Sequence, residues 1–183
     1  MAEPYGRRSV PGLRDRPTGI DDTCRVSSSY VAVIGASEAS DTELAYAIRV
    51  GTLLAQAGAV LISGGLGGVM RASCKAAVEN GGLTVGLLPG RDRRDGNEFL
   101  TVALPTGMGE LRNGLVVSAA DAVIAIGGGW GTLSEIALAM RGRRPLVALH
   151  SWDVKSPGEI DPNIIRVESP EDAVEMALTM IAS

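Results

Sequence analysis

Residues 127–135 read GGGWGTLSE, with Gly127, Gly128, Gly129 and Gly131 set at the head of an apolar helical pattern. Glycine there lets main-chain N–H groups approach a ligand with no Cβ in the way. A helix that starts at the same place adds unpaired N–H groups and the positive end of its dipole, which suits a phosphate. The stretch therefore reads as an anion cradle at Gly128, Gly129, Trp130, Gly131 and Thr132. Glu135 falls about one helical turn further in, so its carboxylate faces the same edge. Trp130 either stacks on a ligand ring or fills a subunit contact. A second glycine run, SGGLGGVM over 63–70, offers the same cradle chemistry through Gly64, Gly65, Gly68 and Met70. Gly35 and Ser37 follow another apolar run, and Arg112 stands early in the helical stretch before Glu135.

Familiar phosphate fingerprints do not fit. The first apolar run is followed by GASEAS and not by GxGxxG, and no GxxxxGK[ST] occurs. The binding mode is nucleotide-like without being that of ordinary dinucleotide or ATP sites. His150 is the single histidine, and the two cysteines, Cys24 and Cys74, have no metal-binding spacing. This composition argues against a zinc site and against a Ser-His-Asp triad, and no metal is expected. The RDRR loop, Arg91–Arg94, reads as solvated and not as a phosphate clamp.

These residues need elements to hold them at one edge. Short, continuously apolar runs at 30–35, 59–65, 83–90, 99–107, 121–129 and 145–150 read as buried strands, and 163–168 as a short edge strand. Helical patterns fall between or after them at 40–58, 67–82, 109–120, 132–143 and 169–182. Ser40 or Asp41 caps the first, and Ser169 followed by Pro170 opens the last. The alternation predicts an α/β, single-domain, doubly wound Rossmann-like fold. It has about seven mostly parallel strands with helices on both faces. Ligands in such folds bind beyond the carboxyl ends of the strands, where the glycines gather.

The domain is expected over 29–183, preceded by a flexible leader over 1–28 that carries five arginines among four acidic residues. Hydrophobic residues make up 45% of the 183-residue chain, enough for a sizeable core, but aromatics only 3%, so Ala, Val, Ile and Leu must build it. A formal net charge of -4 argues against a nucleic-acid-coating surface. No apolar run reaches ~18 residues, so no membrane span is expected. The amino terminus lacks the apolar stretch of a signal peptide. A soluble, cytoplasmic setting is the expectation.

GGGWGTLSE resembles the PGGxGTxxE signature of the Lonely Guy family of cytokinin-activating phosphoribohydrolases, often mislabelled lysine decarboxylases. Arg112 precedes Glu135 by 23 residues, a separation that matches the arginine of that family's Met-x-x-Arg-Lys helix. SGGLGGVM and GGLTVGLLPG resemble its glycine-rich loop and next strand, and the similarity covers about residues 30–150. Gly127 stands where the signature has proline, Asn113 where it has lysine and Gly109 where it has methionine. In these departures the stretch from 109 to 139 is more similar to the branch that includes molybdenum-cofactor carrier proteins.

The resemblance implies two activities of different classes. The lead reading is hydrolysis of the N-glycosidic bond of a nucleoside 5′-monophosphate, with no cofactor required. Glu135 would stabilise positive charge developing on the ribose, Arg112 would fix the substrate, and the glycine loop would hold the phosphate. The alternative is a non-catalytic carrier of the molybdenum cofactor or another nucleotide, in which the same residues, with Asn113, hold a cargo. Decarboxylation of an amino acid is rejected: it needs a cofactor such as pyridoxal phosphate on a lysine, and neither Lys75 nor Lys155 lies in a glycine-loop motif. The expected partners are a small phosphorylated ligand and a second copy of the chain as homodimer or higher homo-oligomer, with no nucleic acid and no membrane.

Overall fold

Each apolar run that ends in glycine becomes a strand directed at the same edge. The computed structural model describes residues 28–154 and 164–183. Most of the expected leader lies outside the described residues. The elements are β1 (Tyr30–Gly35), α1 (Asp41–Gln56), β2 (Val60–Ser63), α2 (Gly68–Glu79), β3 (Leu83–Leu88), β4 (Val102–Pro105), α3 (Asn113–Ser118), β5 (Ala122–Ile126), α4 (Trp130–Arg141), β6 (Leu146–Leu149), β7 (Ile164–Val167) and α5 (Pro170–Ala182).

The seven strands form one sheet in the order β4-β3-β2-β1-β5-β6-β7, and every strand pairing is parallel. The chain winds outward from β1 in one direction through β2, β3 and β4, then returns to the other side of β1 at β5. The strand order thus reverses between β1 and β5, the point where doubly wound sheets open a crevice.

Alternate residues of each strand feed two cores, because successive strand side chains point to opposite faces. Val31 and Val33 of β1 join Leu54, Leu61, Ile124 and Val174 under α1, α2 and α5. Ala32 and Ile34 join Ile62, Val116, Val123 and Ile136 under α3 and α4. With few aromatics, close approach replaces bulk. At the crossing of α1 and α2 a Cβ on Gly51 would run into the backbone carbonyl of Ser73.

Most elements end a little inside their sequence patterns, and two are shortened most. The helix expected over 109–120 starts as a 3-10 turn at Gly109–Arg112, and only Asn113–Ser118 is α-helical. Gly109 has φ +56, outside the right-handed helical region. The strand expected over 99–107 narrows to Val102–Pro105. Ahead of it the Thr84 hydroxyl donates to the Phe99 carbonyl at 2.7 Å and accepts from the Thr101 N–H at 2.8 Å, which draws that segment out of the ladder. Among the described residues no helix is long and apolar enough to cross a membrane.

Candidate functional site

Several helices begin at the carboxyl edge of the sheet, and they differ in how their first N–H groups are satisfied. At α1, Ser40 and Glu43 form a reciprocal capping box. At α2 the Val69 N–H donates to the Ala36 carbonyl at 3.0 Å. Gly68, at φ +55, packs so closely on Ala36 and Ser37 that a Cβ there would strike their carbonyls. At α5 the Ser169 hydroxyl accepts from the Asp172 N–H. At α4 the N-cap is Gly129, and no side chain caps it. The N–H groups of Trp130, Gly131 and Thr132 have no preceding turn to bond to. Gly129, Gly131 and Thr132 line a cleft of about 450 Å³. Apart from the chain neighbours and the helix's own backbone, no atom lies within 4 Å of where a Cβ on Gly129 or Gly131 would stand.

Of the residues picked out in the sequence, Gly35, Ser37, Met70, Arg112, Asn113, Gly129, Gly131, Thr132 and Glu135 line this cleft. Gly64, Gly65, Gly68, Gly128 and Trp130 are not in its wall, and packing accounts for each. A Cβ on Gly64 would stand 2.5 Å from both terminal nitrogens of Arg112, so this glycine makes room for the guanidinium. Gly65, at φ +73, turns the chain beneath Leu88. Gly68 closes the contact between α2 and the β1–α1 loop. Gly128, at φ +110, sits against the Thr132 side chain, and its N–H donates to Glu43 Oε1 at 3.1 Å. Trp130 is 79% exposed, and its ring lies 5.4 Å from that of Trp152. Of the second glycine run, Leu66 and Met70 line the cleft, while Gly64, Gly65 and Gly68 make room for the packing around it. In the RDRR loop, Arg94 pairs with Asp92 and is solvent-exposed.

Arg112 and Glu135 come from different elements and meet on the cleft floor. Arg112 closes the 3-10 turn, and Glu135 projects from α4. Both are buried, and Arg112 Nη1 lies 3.6 Å from Glu135 Oε1, too long for a hydrogen bond. Arg112 Nη1 instead donates to Asn113 Oδ1 at 3.0 Å. Asn113 Nδ2 donates to Ser134 Oγ at 3.0 Å, and Ser134 Oγ donates to the Gly131 carbonyl at 2.7 Å. This chain ties the arginine to the first turn of α4. The buried Nε of Arg112 has no hydrogen-bond partner. Burial pushes the Glu135 carboxyl up to about 7, against the opposing pull of the Arg112 charge. Burial also lowers Arg112 from its ordinary value, opposed by Glu135 and Glu110. The floor thus holds an incompletely satisfied ion pair, with hydrogen-bonding capacity left on both partners.

Sequence reasoning missed several parts of the site. Ala36, Glu38, Leu66, Pro89 and Glu110 also line the cleft, and nothing in their local sequence marks them. Glu43 was not picked out in the sequence; it joins Ser40 in the capping box of α1. Gly127 has φ +50, and a Cβ on it would collide with the Glu43 carboxylate. Proline, fixed near φ −65°, cannot take this conformation, which accounts for glycine at the position where the phosphoribohydrolase signature has proline. Among the described residues, no group of three His, Cys, Asp or Glu side chains is placed to hold a metal ion.

A family model described as LDcluster4, the SLOG cluster4 family, matches residues 28–175. An uncharacterised protein of Archaeoglobus fulgidus is 43% identical over 150 residues, covering 81% of this chain and 94% of that protein. The molybdenum cofactor binding protein of Rippkaea orientalis superposes with a TM-score of 0.77 at 32% identity, covering 84% of this chain and 98% of that one. The molybdenum cofactor carrier protein of Chlamydomonas reinhardtii gives 0.75 at 25% identity, covering 85% and 99%.

Proposed function

Because the chain belongs to the SLOG cluster4 family, we propose that its cleft seats the phosphate of a phosphorylated heterocycle on the first turn of α4 and carries that ligand without turnover. One observation carries the reading: the uncapped start of α4 opens into the same cleft as the buried Arg112–Glu135 pair. A phosphate accepts N–H groups at one end. The Arg112 guanidinium and the Glu135 carboxylate, both in the cleft wall, then offer donors and an acceptor to the ring end. A pterin phosphate of the molybdenum-cofactor type has both kinds of group, and two structural relatives are named for binding or carrying that cofactor. The cleft's residues fit such a cargo.

The second reading is hydrolysis of a nucleoside 5′-monophosphate at its N-glycosidic bond. The meeting of Arg112 and Glu135 beneath the anion seat supports it. Asn113 weighs against it, because it stands where the phosphoribohydrolase signature has lysine and leaves one positive charge fewer beside Arg112. The deciding experiment incubates the pure protein with a panel of nucleoside 5′-monophosphates and with molybdopterin. Retained pterin without free base is the expected result. Release of base from any monophosphate overturns the carrier reading.

The protein is also expected to be a homodimer. Leu111 and Trp130 are each 79% exposed, and Leu115 and Leu138 add apolar surface at 40% and 36% on α3 and α4. Apolar surface of this kind is costly to leave in water, and a second copy of the same face covers it. Light scattering at micromolar concentration should return twice the 18.9 kDa chain mass. A monomeric mass would count against it.

A further inference from the structure

Glu43 belongs to α1, yet its carboxylate reaches across the point where the strand order reverses. Oε2 accepts from the Ser40 N–H and the Ser40 hydroxyl, both at 2.8 Å. Oε1 accepts from the Gly128 N–H at 3.1 Å and occupies the space that a Cβ on Gly127 would need. One carboxylate therefore joins the β1–α1 loop to the β5–α4 loop, the two walls of the cleft. On its far side the β5–α4 loop is held from the segment after β6. There the Ser151 hydroxyl donates to the Gly127 carbonyl at 2.6 Å, and Trp152 Nε1 donates to the Gly129 carbonyl at 3.2 Å.

We infer that Glu43 is a positioning residue for the anion seat. By taking the Gly128 N–H and holding Gly127 in the left-handed region, it fixes which N–H groups of the β5–α4 turn are presented to the ligand. The inference rests on the anion-seat reading given above. Its consequence is specific. With the Gly128 donor already used by a carboxylate of the protein, the phosphate engages Trp130, Gly131 and Thr132, not the glycine run before them. The negative charge of Glu43 also repels an anion from the head of the loop and directs it into the first turn of α4. The hydrogen bonds that Glu43 accepts from Ser40 and Gly128 hold its carboxyl below the ordinary carboxylate value, so the clamp stays charged near neutral pH.

The test separates this role from helix capping. Ser40→Ala removes the capping hydroxyl of α1 but leaves Glu43 against the loop, whereas Glu43→Ala removes both the cap partner and the clamp. Two measurements are made on the full chain by amide-resolved NMR: hydrogen exchange of the Gly128 N–H without ligand, and a titration with inorganic phosphate. The expected result in Glu43→Ala is Gly128 exchange faster by about tenfold or more, the scale of one charge-assisted hydrogen bond. Phosphate binding weakens by a similar factor, and the Gly128 amide begins to shift on phosphate addition. In Ser40→Ala both readouts stay near wild type. If the two variants behave alike, or if Glu43→Ala keeps wild-type exchange at Gly128, Glu43 is only a helix cap and the inference falls. If wild-type protein shows no phosphate shifts in the first turn of α4, the anion-seat reading fails, and the claim that Glu43 positions that seat fails with it. The exchange result then reports only whether the two loops are joined. A Glu43→Ala variant that no longer folds shows a native β5 spectrum to be absent; Glu43→Gln then takes its place. Its amide oxygen can accept from Ser40 or Gly128 but carries no charge, and unchanged phosphate affinity in it would overturn the directing role.

Discussion

Gly131→Val should abolish phosphate binding while leaving the fold intact. Gly131 is the second residue of α4, it lines the cleft, and nothing lies within 4 Å of its would-be Cβ. A valine there has ordinary helical backbone to adopt, and replacing glycine inside a helix is favourable by a few tenths of a kcal/mol. Its two methyl groups stand where the anion must approach the N–H groups of Gly131 and Thr132. Losing two charge-assisted hydrogen bonds costs at least about 3 kcal/mol, or roughly a hundredfold in affinity. Calorimetric titration with inorganic phosphate and with a nucleoside monophosphate, beside a thermal melt, reads both halves. Near-wild-type affinity in a folded variant would place the anion seat elsewhere.

The contrast between Gly131 and Gly68 shows how far the sequence could be read. Both glycines follow a buried strand and open a helix, and both runs carry the same signal of backbone freedom beside a dipole. Only the fold separates them. Gly68 is pressed on the carbonyls of Ala36 and Ser37, and Ala36 accepts from the Val69 N–H at the start of α2, while Gly131 faces open space. The strand–helix alternation was legible because β-branched runs ending in glycine have little other use, and it places Gly35, Thr132 and Glu135 at one edge. Arg112 and Glu135 could be paired only through family resemblance, since they stand 23 positions apart with a strand between them. The reach of Glu43 to Gly128 spans 85 residues, and local pattern shows only its bond to Ser40. Glu38 and Glu110 carry no signal at all; they reach the cleft because two loops converge there.

Glu135 should make both stability and binding depend on pH, in opposite directions. Its carboxyl is raised from 4.5 to about 7 by burial, so between those values the folded protein holds a proton that the unfolded chain has released. Stability is therefore greatest at the acid end of this window, declines as pH rises through it, and levels off above about 7. Glu135→Gln has nothing to titrate and should lose that slope, which denaturant unfolding at a series of pH values would show. Ligand binding runs the other way. A ring N–H or hydroxyl that donates to Glu135 favours the charged carboxylate, so binding expels the proton and affinity should rise from about pH 6 to about pH 8. In Glu135→Gln the affinity should be lower at high pH and flat across the range. A nucleoside monophosphate hydrolase predicts something different: the same substitution leaves phosphate binding nearly unchanged but lowers turnover by about two orders of magnitude or more. A pH-dependent affinity that vanishes with the carboxylate, together with no base released at any pH, is what a carrier requires. A flat affinity with a turnover that collapses in the Gln variant would instead assign Glu135 to the ribose and make the protein an enzyme.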